Sequence, residues 1–180
     1  MRNSKVKGFT LIELIVVIAI IGVLAAILVP SMLGYVRNAR ISSANANAKQ
    51  VHTAVSSALT QLGISNYDFG TGTDTAKSIT GIKLNAAKTQ IECTFDTTNK
   101  PSADAMDLIS YLGENFSGEG KVFFNKATYS VYAAAWAANS ADLTKAGSTK
   151  DDLVNKTEQA QKADAKAGNI YGIFPAPKLS

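Results

Sequence analysis

The chain has 180 residues, 18 basic and 14 acidic, and a formal net charge of +4. Three of the basic residues, Arg2, Lys5 and Lys7, fall within the first eight positions, so the remainder balances at +1 and charge gives no argument for a nucleic-acid partner. The single cysteine, Cys93, excludes an intrachain disulfide, and the length suits one soluble domain with a modest core.

Residues 1–8 form a basic leader without an acid. Positive residues beside an apolar run hold that end in the cytoplasm. The run follows at once: from Phe9 to Val29 only Thr10 and Glu13 are polar. As a helix these residues span about 31 Å, close to the ~30 Å hydrocarbon core of a bilayer. An ordinary secretory signal has a shorter apolar stretch followed by a small-residue cleavage site. Here the stretch is longer and the small residue, Gly8, stands before it, so a cut there removes the leader and leaves the helix on the protein. Read from hydropathy alone, this is an amino-terminal membrane anchor. Glu13 does not fit that reading, because a carboxylate near hydrocarbon is expensive and is functional by default. The bland alternative is a glutamate snorkelling to the headgroups.

The string Gly8-Phe9-Thr10-Leu11-Ile12-Glu13 behind a basic leader resembles the class III signal of type IV prepilins and pseudopilins. The likeness is specific from Lys7 to about Val29 and weaker to about Leu62. It implies cleavage after Gly8 by a prepilin peptidase, N-methylation of Phe9, and a role for Glu13 in assembly and register. Physical reasons accompany each role. Gly8 lets a protease pocket approach the backbone. Cleavage creates an amine at Phe9, four residues from Glu13 on one helix face. Such an amine on a neighbouring copy can neutralise Glu13 and fix the axial register of packed helices. Pro30 removes the helical partner of the Ala26 carbonyl, and Gly22 is a second weak point, so a kink is expected. The resemblance adds the idea that residues 22–30 melt inside a filament.

The helix is expected to continue past Pro30. Ala44, Ala48, Val51, Val55, Ala58 and Leu62 recur at spacings of three and four, an amphipathic stripe suited to packing on a sheet. Gly63 reads as its stop, and residues 63–78 as a surface connection. In pilins the corresponding loop often forms subunit contacts, which the resemblance carries over here. Strands are predicted over Ser78–Leu84 and Thr89–Phe95, the latter placing Ile91, Cys93 and Phe95 on one face. A helix capped by Ser102 is predicted over Ala103–Asn115, with Met106, Leu108, Ile109 and Leu112 as its apolar face. Strands over Lys121–Lys126 and Thr128–Trp136 form a possible hairpin, the second with Tyr129, Val131, Ala133 and Ala135 on one face and Tyr132 and Trp136 on the other. Residues 138–168 read as a solvated insertion with a helix over Asp151–Ala167. A last strand covers Asn169–Phe174, ended by Pro175 and Pro177.

No catalytic or metal-binding constellation is evident. His52 is the only histidine and has no companion at triad or ligand spacing. Asp151, Asp152 and Asp164 are scattered among lysines and do not match a calcium loop. Some pseudopilins carry a carboxy-terminal calcium site, a minor alternative by resemblance. Gly70-Thr71-Gly72 is a flexible loop without a phosphate-loop lysine. Asn115-Phe116-Ser117 and Asn155-Lys156-Thr157 are formal glycosylation triplets of a kind common by chance. No sortase-type signal ends the chain. Cys93 reads as a small buried hydrophobe, and Tyr132 and Trp136 as core residues rather than an adhesive patch.

The expected fold is α+β and type IV pilin-like: a long amino-terminal helix with an apolar half, its second half packed on an antiparallel sheet. The expected organisation is a leader over 1–8, a membrane and filament-core segment over 9–30, and a head domain over 31–180. The resemblance implies a structural pilin with no enzymatic activity and no cofactor or metal. It is inserted in the bacterial cytoplasmic membrane with its amino terminus inside, in contact with lipid before assembly. It then meets the prepilin peptidase and an ATP-driven assembly platform and ends in an extracellular helical homopolymer. Small residues such as Ala19, Gly22, Ala25 and Ala26 favour close helix approach. Within the family the rival is a pseudopilin of a type II secretion or DNA-uptake system. From another class the rival is a membrane-anchored extracellular binding module.

Overall fold

The computed structural model describes residues 8–65, 67–70, 76–84, 91–97, 101 and 106–175. The basic leader residues Arg2, Lys5 and Lys7 therefore lie outside the described residues, as do Ser102, Thr71, Gly72 and Pro177. The chain divides after Arg37 into two units. One helix, α1 (Leu11–Ile64), contributes its first part to the amino-terminal unit and its second part to the other.

In the amino-terminal unit every described residue up to Val36 is exposed. The side chains include Leu11, Ile12, Leu14, Ile18, Leu24 and Leu28, each more than half exposed. Within this unit no described residue covers this apolar surface. The helix continues through Gly22 and Pro30 without interruption. Beside the proline, the Ser31 hydroxyl donates to the Leu28 carbonyl at 2.9 Å, two residues along from the Ala26 carbonyl that Pro30 deprives of its amide.

In the second unit, α1 buries the predicted stripe in full: Ala44, Ala48, Val51, Val55, Ala58 and Leu62, together with Ile41, Ala54 and Leu59. Gly63 is not the stop. The helix runs on to Ile64, and a Cβ at Gly63 would come within 2.9 Å of the Tyr129 ring. Glycine is needed there for the passage of an aromatic ring.

Among the described residues five strands form one antiparallel sheet: β1 (Ala76–Leu84), β2 (Ile91–Phe95), β3 (Glu119–Asn125), β4 (Val131–Ala137) and β5 (Tyr171–Phe174), in the spatial order β2-β1-β3-β4-β5. The sheet departs from simple alternation twice. In β1 the register shifts between Ile79 and Ile82 around Gly81, whose φ is +61°. That bulge brings both isoleucines, three apart in sequence, onto the buried face. In the β3–β4 ladder Phe123 pairs with Ala133 but Phe124 with Val131, so Tyr132 is the extra residue. The prediction that Val131 and Ala133 share a face, with Tyr132 and Trp136 opposite, is therefore corrected. Val131, Ala134 and Trp136 belong with the α1 side of the core, while Tyr132, Ala133, Ala135 and Ala137 face away from it. Tyr129 precedes β4 in a turn with φ 55°, where its hydroxyl donates to the Tyr67 carbonyl at 2.6 Å.

The predicted 103–115 helix is shorter. Among the described residues it is α2 (Leu108–Leu112), with Asp107 accepting from the Ser110 amide at 3.4 Å in the capping position assigned to Ser102. The larger correction concerns residues 138–168, which do not form a solvated insertion. They form α3 (Ser140–Ala146), α4 (Lys150–Asn155) and α5 (Glu158–Lys166), capped by the side chains of Asn139, Thr149 and Thr157. Leu143, Ala146 and Leu153 join Phe123, Ala133, Ala135, Tyr171 and Ile173 in a second core cluster. One face of the sheet thus packs on α1, and the other is covered over β3, β4 and β5 by these short helices. Burial outweighs the polar composition because each turn supplies one or two apolar residues on the inward side.

Candidate processing and assembly site

The residues singled out at the amino terminus stand together at the start of α1. Gly8 is exposed, and a Cβ placed there meets nothing within 4 Å. Phe9 is 86% exposed. Among the described residues nothing covers the Gly8–Phe9 junction. Glu13 lies in the first turn of α1. Its Oε2 accepts the Thr10 backbone N–H at 2.9 Å and the Thr10 hydroxyl at 2.6 Å. The Glu13 amide in turn donates to the Thr10 Oγ1 at 3.4 Å. This is a capping box: the first helical amides and the carboxylate satisfy one another, and the anion sits at the positive end of the helix dipole.

Two chemical consequences follow. The Thr10 amide belongs to the Phe9–Thr10 peptide, so a cut between Gly8 and Phe9 leaves the box intact. Only one carboxylate oxygen is used: among the described residues Oε1 accepts no hydrogen bond and remains able to take a cation. Thr10 is the participant that sequence reasoning passed over. Its signal was present, since Thr-x-x-Glu ahead of an apolar run is the capping-box pattern.

The remaining candidates have structural roles. The half-buried His52 ring meets Phe174 edge-on with centroids 4.8 Å apart, and the Lys49 Nζ lies 5.9 Å from the same Phe174 ring. Burial holds the His52 imidazole below the usual histidine range, against a smaller opposing effect of the Val131 backbone. Cys93 is half-buried against the α1-side core, and burial pushes its thiol up to about 11. Asp152 completes the Thr149 cap, Asp164 pairs with Lys156 at 3.1 Å and with the Tyr171 hydroxyl, and Asp151 stands 3.8 Å from Lys150. These acids serve three separate local purposes. The Trp136 indole donates to the Ser117 carbonyl at 2.8 Å, and Tyr132 lies beneath the Lys150 ammonium at 4.9 Å. Asn115 and Asn155 are both exposed.

An apolar amino-terminal helix and an antiparallel five-stranded sheet define an α+β fold, consistent with the type IV pilin fold. The first segment also matches a family model directly: residues 3–29 fit the prokaryotic N-terminal methylation motif. Similar proteins are type IV pilins and fimbrial proteins. The chain is 45% identical over 57 residues to the type IV major fimbrial protein FimA of Dichelobacter nodosus, covering 32% of this chain and 36% of that protein. It is 46% identical over 52 residues to the type IV major pilin protein PilA of Myxococcus xanthus, 29% of this chain and 24% of that one. It is 35% identical over 101 residues to the type IV major pilin protein PilE of Neisseria gonorrhoeae, 54% of this chain and 60% of that one. Each match thus spans less than two thirds of the relative's length. No solved structure gives a significant match.

Proposed function

We propose that this chain is a structural, non-enzymatic pilin subunit of a type IV pilus. It enters the bacterial cytoplasmic membrane as a prepilin with its leader inside. A prepilin peptidase cuts after Gly8, Phe9 is N-methylated, and an ATP-driven platform moves the subunit from lipid into a helical extracellular filament. The observation that carries this reading is the half-used Glu13 carboxylate at the head of an uncovered apolar helix. Before assembly, Thr10 and the helix amides shelter the charge in the membrane. On assembly, the free Oε1 receives the Phe9 amine of a neighbouring copy, while helix packing replaces lipid around residues 11–36. Gly22 and Pro30 are the positions where the helix yields during that exchange. The names of the relatives support a pilin, and the motif match supports methylation.

The test is electron microscopy of cells expressing wild-type chain or Glu13→Leu, with the subunit followed in membrane fractions. Wild type is expected to form long surface fibres, and Glu13→Leu to insert in the membrane but not polymerise. Normal fibres from Glu13→Leu would refute the role of the carboxylate.

A further inference from the structure

Among the described residues the last strand, β5, is an edge strand paired only with β4, and the sequence has no second cysteine with which to staple it. Its outer edge is nonetheless occupied. The Ile173 amide donates to the Asn45 Oδ1 of α1 at 2.9 Å. The same oxygen accepts the Gln161 Nε2 of α5, also at 2.9 Å. The Gln161 Nε2 donates a second time, to the Tyr171 carbonyl at 2.8 Å. Between these two positions, a Cβ on Gly172 would fall 1.8 Å from the Ala44 carbonyl oxygen, so the β5 backbone lies directly on α1. Gln161 is 1% exposed, in surroundings where an unmet polar group is costly.

The backbone fixes both amide orientations. An N–H can only donate, so the Asn45 atom facing Ile173 is oxygen. A carbonyl can only accept, so the Gln161 atom facing Tyr171 is nitrogen. We propose that Asn45 and Gln161 form a side-chain clasp that locks β5 onto α1, and that its loss releases β5 while the rest of the sheet stays formed. The residues are 116 positions apart, and the two side chains join three elements at one point. Asn45 acts only as an acceptor, and Gln161 only as a donor. Aspartate can therefore replace Asn45, whereas glutamate cannot replace Gln161, because it sets an acceptor against two acceptors.

The experiment is hydrogen exchange by mass spectrometry on the full chain in detergent micelles, comparing wild type with Asn45→Leu, Asn45→Asp and Gln161→Glu. Asn45→Leu and Gln161→Glu are expected to speed exchange of the 169–175 segment about tenfold or more, the effect of stranding buried donors or acceptors. Peptides from β3 should be unchanged. Asn45→Asp should stay within about threefold of wild type, since it keeps the acceptor. Wild-type protection of β5 in Asn45→Leu would overturn the proposal. So would an Asp variant that exchanges as fast as Leu, or release of β3 together with β5 in all three variants.

Discussion

Gly172→Ala is the sharpest perturbation of the head domain. The added Cβ would lie 1.8 Å from the Ala44 carbonyl oxygen, 2.1 Å from its carbon and 2.5 Å from the Asn45 nitrogen. All three are backbone atoms of a helix, so no side chain can rotate away. Helix and strand must separate by more than an ångström, which also stretches the Asn45 contact to Ile173. Overpacking of this kind costs about 3 kcal/mol, the upper end of the usual range. For a chain of this length that corresponds to a Tm lower by about 6–12 °C. Trp136 is the only tryptophan, and it pairs with Gly172 across the β4–β5 ladder. Its fluorescence in detergent-solubilised full chain therefore reports the perturbed site directly. A Tm within about 1 °C of wild type, with unchanged Trp136 emission, would refute the close helix–strand approach on which this reasoning rests.

His52 gives a pH dependence. Burial disfavours its charged form when folded, so the unfolded chain takes up the proton at higher pH. Stability should fall as pH drops below about 6.5, and His52→Gln should flatten that slope in denaturant titrations at pH 7 and 5. For Cys93, a thiol raised from 9.0 to about 11 holds far less thiolate at pH 8. Labelling with a thiol reagent should be roughly a hundredfold slower in the native protein than in denaturant, and equal rates would contradict its packing against the core. Phe124 is fully buried between Phe69 and the α1 stripe. Phe124→Ala should cost about 3–5 kcal/mol in chemical denaturation of the head domain, and a loss under about 1 kcal/mol would show the core misassigned.

Much of this architecture was legible in the sequence because it follows from periodicity. The uncovered run from Phe9 to Val29 and the stripe from Ala44 to Leu62 each repeat a single physical requirement over many residues. The strands were recognisable from β-branched and aromatic runs. What escaped were local exceptions. Alternation along β4 failed at Tyr132 because a bulge costs one residue of register, and nothing in Ser130-Val131-Tyr132-Ala133 marks it. The short helices after β4 were hidden by composition, since each buries only one or two apolar side chains, although Thr149-x-x-Asp152 and Asn139-x-x-Asp142 were readable caps. The Thr10–Glu13 box was legible in the same way. The meeting of Asn45 with Gln161 and Ile173 was not, because no local pattern links positions more than a hundred residues apart.

Mass spectrometry of the amino terminus of chain purified from surface filaments bears most directly on the functional account. A chain beginning at Phe9 and one methyl group heavier than the bare peptide is the expected result. Filament-derived chain that still carried residues 1–8 would contradict it, since no amine would then exist beside Thr10 for the Glu13 of another copy to bind.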